Sequence, residues 1–294
     1  MLNLSGIFVP HVTPFKLDES IDFDALKICI NYWIESGLSG LVTLGSNGEF
    51  PYLTKEEKIK LIQFVLDEVN GKIPVIVGTG APSTKETLQL SKEAADLGAD
   101  ALIIVQPYYY KISEKELISH YSEILKSIDV PIILYNIPKF TGYNMGVKVV
   151  EKLVNEFSNI VGIKDSSNNI HQVSELIRTV GNKISVLAGN ADMIFTTLML
   201  GGKGAIVAVA NFIPEILVKL YSAFSRGDYD VARRMQMIVN EATSILNQYN
   251  QIAAVKAFVN LRGMPGGIPR KPILPLKGDE LLPLKEFLKK LKLL

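Results

Sequence analysis

The chain has 294 residues, 48% of them hydrophobic, enough to bury one large core. Lys and Arg total 31 against 30 Asp and Glu, with no long run of either sign; this argues against a nucleic-acid face or a polybasic membrane surface but leaves room for a small anionic ligand. No uncharged apolar stretch approaches the roughly 18 residues of a spanning helix, and Met1 to Phe15 lacks the basic-then-apolar order of a secretory signal, so a cytoplasmic chain is expected.

In chain order, an apolar run at 6–10 precedes a helical pattern at 23–35 that sets Leu26, Ile30, Trp33 and Ile34 on one side. The same pairing recurs: strand 40–44 with helix 55–69, 74–78 with 85–97, 101–105 with 114–128, and 131–134 with 147–157. Strand 160–163 with helix 171–180, 184–187 with 193–200, and 205–209 with 215–224 complete the series. The apolar runs are too continuous to alternate in and out, which suits strands covered on both faces. Thr54, Ser83 and Ser113 each stand three residues before a glutamate, the capping-box spacing. Gly37, Gly71, Gly98, Gly181 and Gly201 fall where helices should stop.

Such alternation makes either an open doubly wound sheet or a closed barrel; a repeat of roughly 25–30 residues, eight times over, favours the (β/α)8 TIM barrel. After Gly227 the pattern turns purely helical, at 229–246, 252–261 and 281–293, with the Pro/Gly-rich segment 264–275 between the last two. The expected organisation is a barrel over residues 1–227 and a helical extension over 228–294 packed on it.

The single cysteine, Cys29, lies in an apolar run and reads as a small buried hydrophobe, with no disulfide or thiolate cluster available. His11, His120 and His171 show no metal-ligand spacing, so no metal site is expected. In a barrel, chemistry belongs at the C-terminal ends of the strands. The sixth strand ends in Lys164, after four residues expected to be buried. A lysine losing solvation there favours its neutral amine, which attacks ketones and calls for no metal or coenzyme. Snorkelling to solvent, or pairing with Asp165, is the plainer alternative. Tyr135 ends the fifth strand at nearly the same height, where a phenol can pass protons to a neighbouring imine; alone it reads as a rim aromatic. Gly45-Ser46-Asn47-Gly48-Glu49 follows the second strand, and its backbone N–H groups and short side chains could converge on a carboxylate, although an ordinary Asn-Gly turn reads the same way.

Gly45-Ser46-Asn47-Gly48-Glu49, Tyr135-Asn136-Ile137-Pro138 and Gly162-Ile163-Lys164-Asp165-Ser166, in that order and spacing, resemble the dihydrodipicolinate synthase/N-acetylneuraminate lyase family from about Gly6 to at least Pro275. The resemblance implies that Lys164 is the Schiff-base lysine for pyruvate or another 2-oxo acid and Tyr135 the general acid/base. Ser46 and Asn47 then hold the substrate carboxylate. Most relatives carry hydroxyl residues at both positions, so Asn47 is a departure, though an amide still donates. Ile206 matches the position whose backbone carbonyl faces the pyruvate end, and Gly189 should leave room near the imine. Tyr109, the middle of Tyr108-Tyr109-Tyr110, would enter a neighbouring subunit's site as part of a proton relay. That implies a dimer-based assembly, a homotetramer of two dimers.

Dihydrodipicolinate synthases carry, two residues after the fifth-strand proline, an arginine for the carboxylate of aspartate semialdehyde; Phe140 stands there, and Lys139 is expected to point elsewhere. The segment 108–117 resembles the archaeal 2-keto-3-deoxygluconate aldolases, so a 2-keto-3-deoxy sugar acid is the leading substrate. Dihydrodipicolinate synthase, 4-hydroxy-2-oxoglutarate aldolase and N-acetylneuraminate lyase activities are the alternatives. A phosphate- or flavin-binding barrel would use Gly189-Asn190-Ala191 and the 201–204 glycines, but the latter precede the eighth strand, at the wrong end. A non-catalytic 2-oxo acid sensor would need neither Lys164 nor Tyr135.

Overall fold

The computed structural model describes residues 3–294; Met1 and Leu2, which open the stretch read above for a signal, lie outside the described residues. Eight parallel strands pair in chain order: β1 Gly6–Pro10, β2 Gly40–Thr43, β3 Val75–Gly78, β4 Ala101–Val105, β5 Ile132–Asn136, β6 Ile160–Asp165, β7 Ser185–Ala188 and β8 Gly204–Ile206. β8 pairs with β1 and closes the barrel. Around it run α1 Phe23–Glu35, α2 Lys55–Val69, α3 Thr84–Asp96, α4 Glu114–Ser127, α5 Pro138–Thr141, α6 Val147–Glu156, α7 Ile170–Val180, α8 Ile194–Met199 and α9 Pro214–Ser225. The C-terminal helices are α10 Tyr229–Leu246, α11 Gln251–Leu261 and α12 Leu282–Lys290. The fold is thus the (β/α)8 barrel with added helices that the alternation implied. Among the described residues no helix is long and apolar enough to cross a membrane.

The unbroken apolar runs are explained by two packed faces. Phe8, Val42, Ile76, Ile103, Ile133 and Ile206 fill the barrel interior, while Ile7, Val9, Leu41, Val77, Ile104 and Leu134 pack beneath the helices. Each such aliphatic or aromatic side chain taken from water contributes roughly 1.5–3 kcal/mol. Thr54 and Ser113 form reciprocal capping boxes with Glu57 and Glu116, and Ser83 accepts from the Glu86 backbone N–H.

Three local departures have identifiable causes. β5 and β6 run past their apolar cores, to Asn136 and Asp165, because their polar ends continue the ladder. α5, absent from the sequence reading, starts on Pro138, whose ring presets a helical φ, and stops at Gly142, where φ is +80°. The eighth strand ends at Ile206 rather than 209. Asn211 donates to the carbonyls of Pro10 and Ala208 and accepts from the Val12 N–H, which folds residues 208–211 into a tight turn across the barrel rim.

The C-terminal helices pack on the barrel through aromatic and polar contacts. Phe258 of α11 stacks on Phe212 with centroids 4.1 Å apart and meets Phe287 of α12 edge-on. Gln236 of α10 accepts from the Phe195 N–H and donates to the Ala191 carbonyl, anchoring α10 at the end of β7. Their ends therefore reach the mouth of the barrel.

Candidate active site

In the ladder between β5 and β6, Tyr135 lies opposite Lys164 and Asn136 opposite Asp165. Strand alternation turns the first pair into the barrel and the second toward the helices. Lys164 is 5% exposed and Tyr135 6% exposed. The Lys164 Nζ sits 4.0 Å from the centroid of the Tyr135 ring. Asp165 does not pair with Lys164. Its carboxylate accepts from Asn136 Nδ2 at 2.8 Å, from Gln172 Nε2 at 2.7 Å, and from the backbone N–H and hydroxyl of Ser167. Among the described residues no carboxylate forms an ion pair with the Lys164 amine. Asn136 and Asp165 thus bind β5 to β6 from behind, in the register that sets Tyr135 against Lys164.

The two side chains open into a cavity of about 240 Å³ at the C-terminal ends of the strands, the end where barrel chemistry belongs. Ser46, Asn47, Gly189 and Ile206 line it as well, so six of the seven residues singled out in the sequence meet around one space. The seventh, Tyr109, does not. It lies in the loop that follows β4, has φ +80°, is 86% exposed, and rests edge-on against Tyr110.

The 3₁₀ turn Ser46–Gly48 follows β2 and is held from several sides. Thr13 donates its hydroxyl to the Gly48 carbonyl at 2.9 Å. Glu49 adopts the left-handed conformation, φ 58°, and its buried carboxylate meets the ammonium of Lys256, 2.5 Å away on α11. The other carboxylate oxygen accepts from the Arg270 N–H, and Lys256 also donates to the Ile268 carbonyl. Burial pushes the Glu49 carboxyl up and the Lys256 ammonium down to about 8, and the ion pair opposes both shifts.

Gly189 lines the cavity together with Lys164 and Ser166. A Cβ there would run into the Ser166 hydroxyl and lie 2.8 Å from the Asp165 carbonyl, so the glycine lets β7 close on the end of β6, and Ser166 fills the space beside it. Lys139 departs from expectation and lines the cavity beside Phe140, with its Nζ 5.6 Å from the Phe140 ring centroid. Both reach it because 138–141 is a helical turn, in which neighbours diverge by about 100° rather than the 180° of a strand.

Sequence reasoning missed part of the wall. Ser166 has a buried hydroxyl without a hydrogen-bond partner among the described residues, and it lines the cavity. Its place two residues after Lys164 was a usable signal. Thr243 of α10, Asn247 just beyond that helix and Gln251 at the start of α11 also line the cavity; nothing in their local sequence marks them. Among the described residues, the charged side chains lining the cavity are Lys139, Lys164 and Asp192, with no arginine.

Residues 3–291 match the model of the dihydrodipicolinate synthetase family. A 4-hydroxy-tetrahydrodipicolinate synthase of Methanocaldococcus jannaschii is 38% identical over 98% of this chain and 99% of its own. A DapA-like lyase of Halobacterium salinarum is 36% identical over 100% and 96%. Among solved structures, the dihydrodipicolinate synthase of Thermotoga maritima superposes with a TM-score of 0.96 at 33% identity, each chain fully covered. A prophage protein of the same family from E. coli K12, in complex with pyruvate, gives 0.95 at 34% identity, with 99% of each chain covered. With the family's match spanning nearly its whole length and solved relatives superposing at TM-scores of 0.95–0.96, the chain belongs to the dihydrodipicolinate synthetase family and is a pyruvate-dependent carbon–carbon lyase.

Proposed function

We propose that Lys164 binds pyruvate as a Schiff base and that the enzyme cleaves a 2-keto-3-deoxy sugar acid to pyruvate and a hydroxyaldehyde. The amine attacks the C2 ketone and the carbinolamine loses water to give an iminium. Tyr135 takes the proton of the C4 hydroxyl as the C3–C4 bond breaks, its electrons pass into the iminium as an enamine, and the aldehyde leaves. Protonation at C3 and hydrolysis return pyruvate and the free lysine. Ser46 and Asn47 hold the C1 carboxylate, and the Ile206 carbonyl faces the pyruvate end. Tyr109, turned away from its own cavity, serves the site of a neighbouring subunit in a dimer of dimers.

The observation that carries the choice of acceptor is the buried, unpaired Ser166 hydroxyl beside Lys164. It continues into a wall of neutral hydroxyl and amide groups: Ser167, Asn168, Asn190, Thr243 and Asn247. Such groups match hydroxyls, and among the described residues no guanidinium, the group suited to a second carboxylate, joins the lining.

A second reading, condensation of pyruvate with aspartate semialdehyde, is favoured by the name of the Methanocaldococcus jannaschii relative and by the Lys139 ammonium in the cavity. Retro-aldol rates over a panel of 2-keto-3-deoxy sugar acids, 4-hydroxy-2-oxoglutarate and N-acetylneuraminate, run beside aspartate semialdehyde condensation, decide between them. The sugar acids should give the highest kcat/KM; a higher value for aspartate semialdehyde would overturn the assignment.

A further inference from the structure

The turn that carries Ser46 and Asn47 is fixed in its backbone but not in its chemistry. The buried Glu49–Lys256 pair pins its end to α11, and Thr13 holds its middle. What remains free is the Asn47 amide, which can turn over and exchange a donor for an acceptor at nearly the same position. For a carboxylate ligand the two orientations are opposites: Nδ2 donates to it, whereas Oδ1 repels it. A hydroxyl in that place would rotate to suit either partner, but an amide needs something outside itself to choose.

Gln251, the first residue of α11, makes that choice. Its Nε2 donates to Asn47 Oδ1 at 3.0 Å, and a carbonyl already accepting on the helix side leaves Nδ2 on the other arm of the amide. Asn47 is 4% exposed and lines the cavity, and its Nδ2 has no hydrogen-bond partner among the described residues. From the contact between Gln251 and Asn47 we infer that Gln251 is a positioning residue, which sets the Asn47 amide so that its donor faces the carboxylate of the 2-oxo acid. The helix that pins the turn through Lys256 therefore also reads out its polarity, from 204 residues away in sequence.

The inference rests on Asn47 holding the substrate carboxylate, and its test needs only pyruvate. The rate of borohydride inactivation, measured against pyruvate concentration, gives a half-saturating concentration independent of any acceptor. Gln251→Met keeps the length and removes the donor; it should raise that concentration about tenfold, with little change in the saturating rate. In an Asn47→Thr background, whose hydroxyl needs no orienting, the same substitution should have no further effect. An equal rise in both backgrounds would mean that Gln251 acts on the ligand or the scaffold directly, and no rise in the wild-type background would remove its role altogether. Asn47→Leu separates the underlying reading, because an unchanged pyruvate dependence there would show that Asn47 does not hold the carboxylate. Should Gln251→Met fail to fold, Gln251→Glu carries the test. An ionised carboxylate only accepts, so it turns Asn47 over and should weaken pyruvate by about 10²-fold; unaltered affinity would refute the inference.

Discussion

Lys164 Nζ lies 4.0 Å from the centre of the Tyr135 ring because the two residues are directly paired on adjacent parallel strands. Neither side chain needs a loop to bring it there. The register is held from behind by Asn136 and Asp165, whose side chains meet at 2.8 Å on the helix side.

This pairing separates two losses of activity. Lys164→Ala should abolish both turnover and the borohydride-trapped pyruvate adduct, which peptide mass will locate on Lys164 in the wild type. Tyr135→Phe should still form the adduct but slow cleavage by about 10²-fold or more. Single-turnover kinetics distinguish the steps, and an undiminished cleavage rate in Tyr135→Phe would remove its assigned role.

Phe140 is 49% exposed at the cavity rim, where an arginine could offer two parallel donors to an incoming carboxylate. Phe140→Arg should therefore raise kcat/KM for aspartate semialdehyde by about tenfold or more and lower it for the sugar acid. Steady-state kinetics with both substrates on the one variant test this, and equal changes for both would show that the rim does not select the acceptor.

The Glu49–Lys256 pair is a buried charge pair in which Glu49 also accepts from the Arg270 N–H and Lys256 also donates to the Ile268 carbonyl. Lys256→Met leaves the carboxylate buried without its cation and should cost about 3–5 kcal/mol in urea unfolding at pH 7. Glu49→Leu combined with Lys256→Met should cost less than the single change, because no uncompensated charge is left inside. A double variant less stable than the single one would show that attraction outweighs desolvation in this pair.

His11 and His120 are both buried, each with an unpaired Nε2, and burial pushes each imidazole down to about 4. The unfolded chain takes up these protons near pH 6.5 and the native state only near 4, so the stability they confer is complete above 6.5 and is lost as the pH falls through that window. At pH 5 the loss is about 2 kcal/mol for each histidine. Thermal unfolding at pH 7 and pH 5 should show a smaller Tm difference in His120→Gln than in the wild type; an unchanged difference would count against a neutral buried His120.

Much of the molecule follows from local order in the chain. The continuous apolar runs require strands covered on both sides, and a helical pattern lies between each pair of them, so the barrel and the ends of α1, α2 and α10 are legible residue by residue. Lys164, Tyr135, Ser46 and Asn47 were legible too, because barrel chemistry is confined to strand ends and those ends are few. The tertiary structure alone decided what surrounds them. Gly189 makes room for the Ser166 hydroxyl, Lys139 joins Phe140 at the rim because Pro138 starts a helical turn, and α11 supplies both Gln251 and Lys256 to a turn formed some 200 residues earlier. Periodicity records which face of an element is buried, whereas an amide's orientation or a buried ion pair depends on partners that only the folded chain brings within hydrogen-bonding distance.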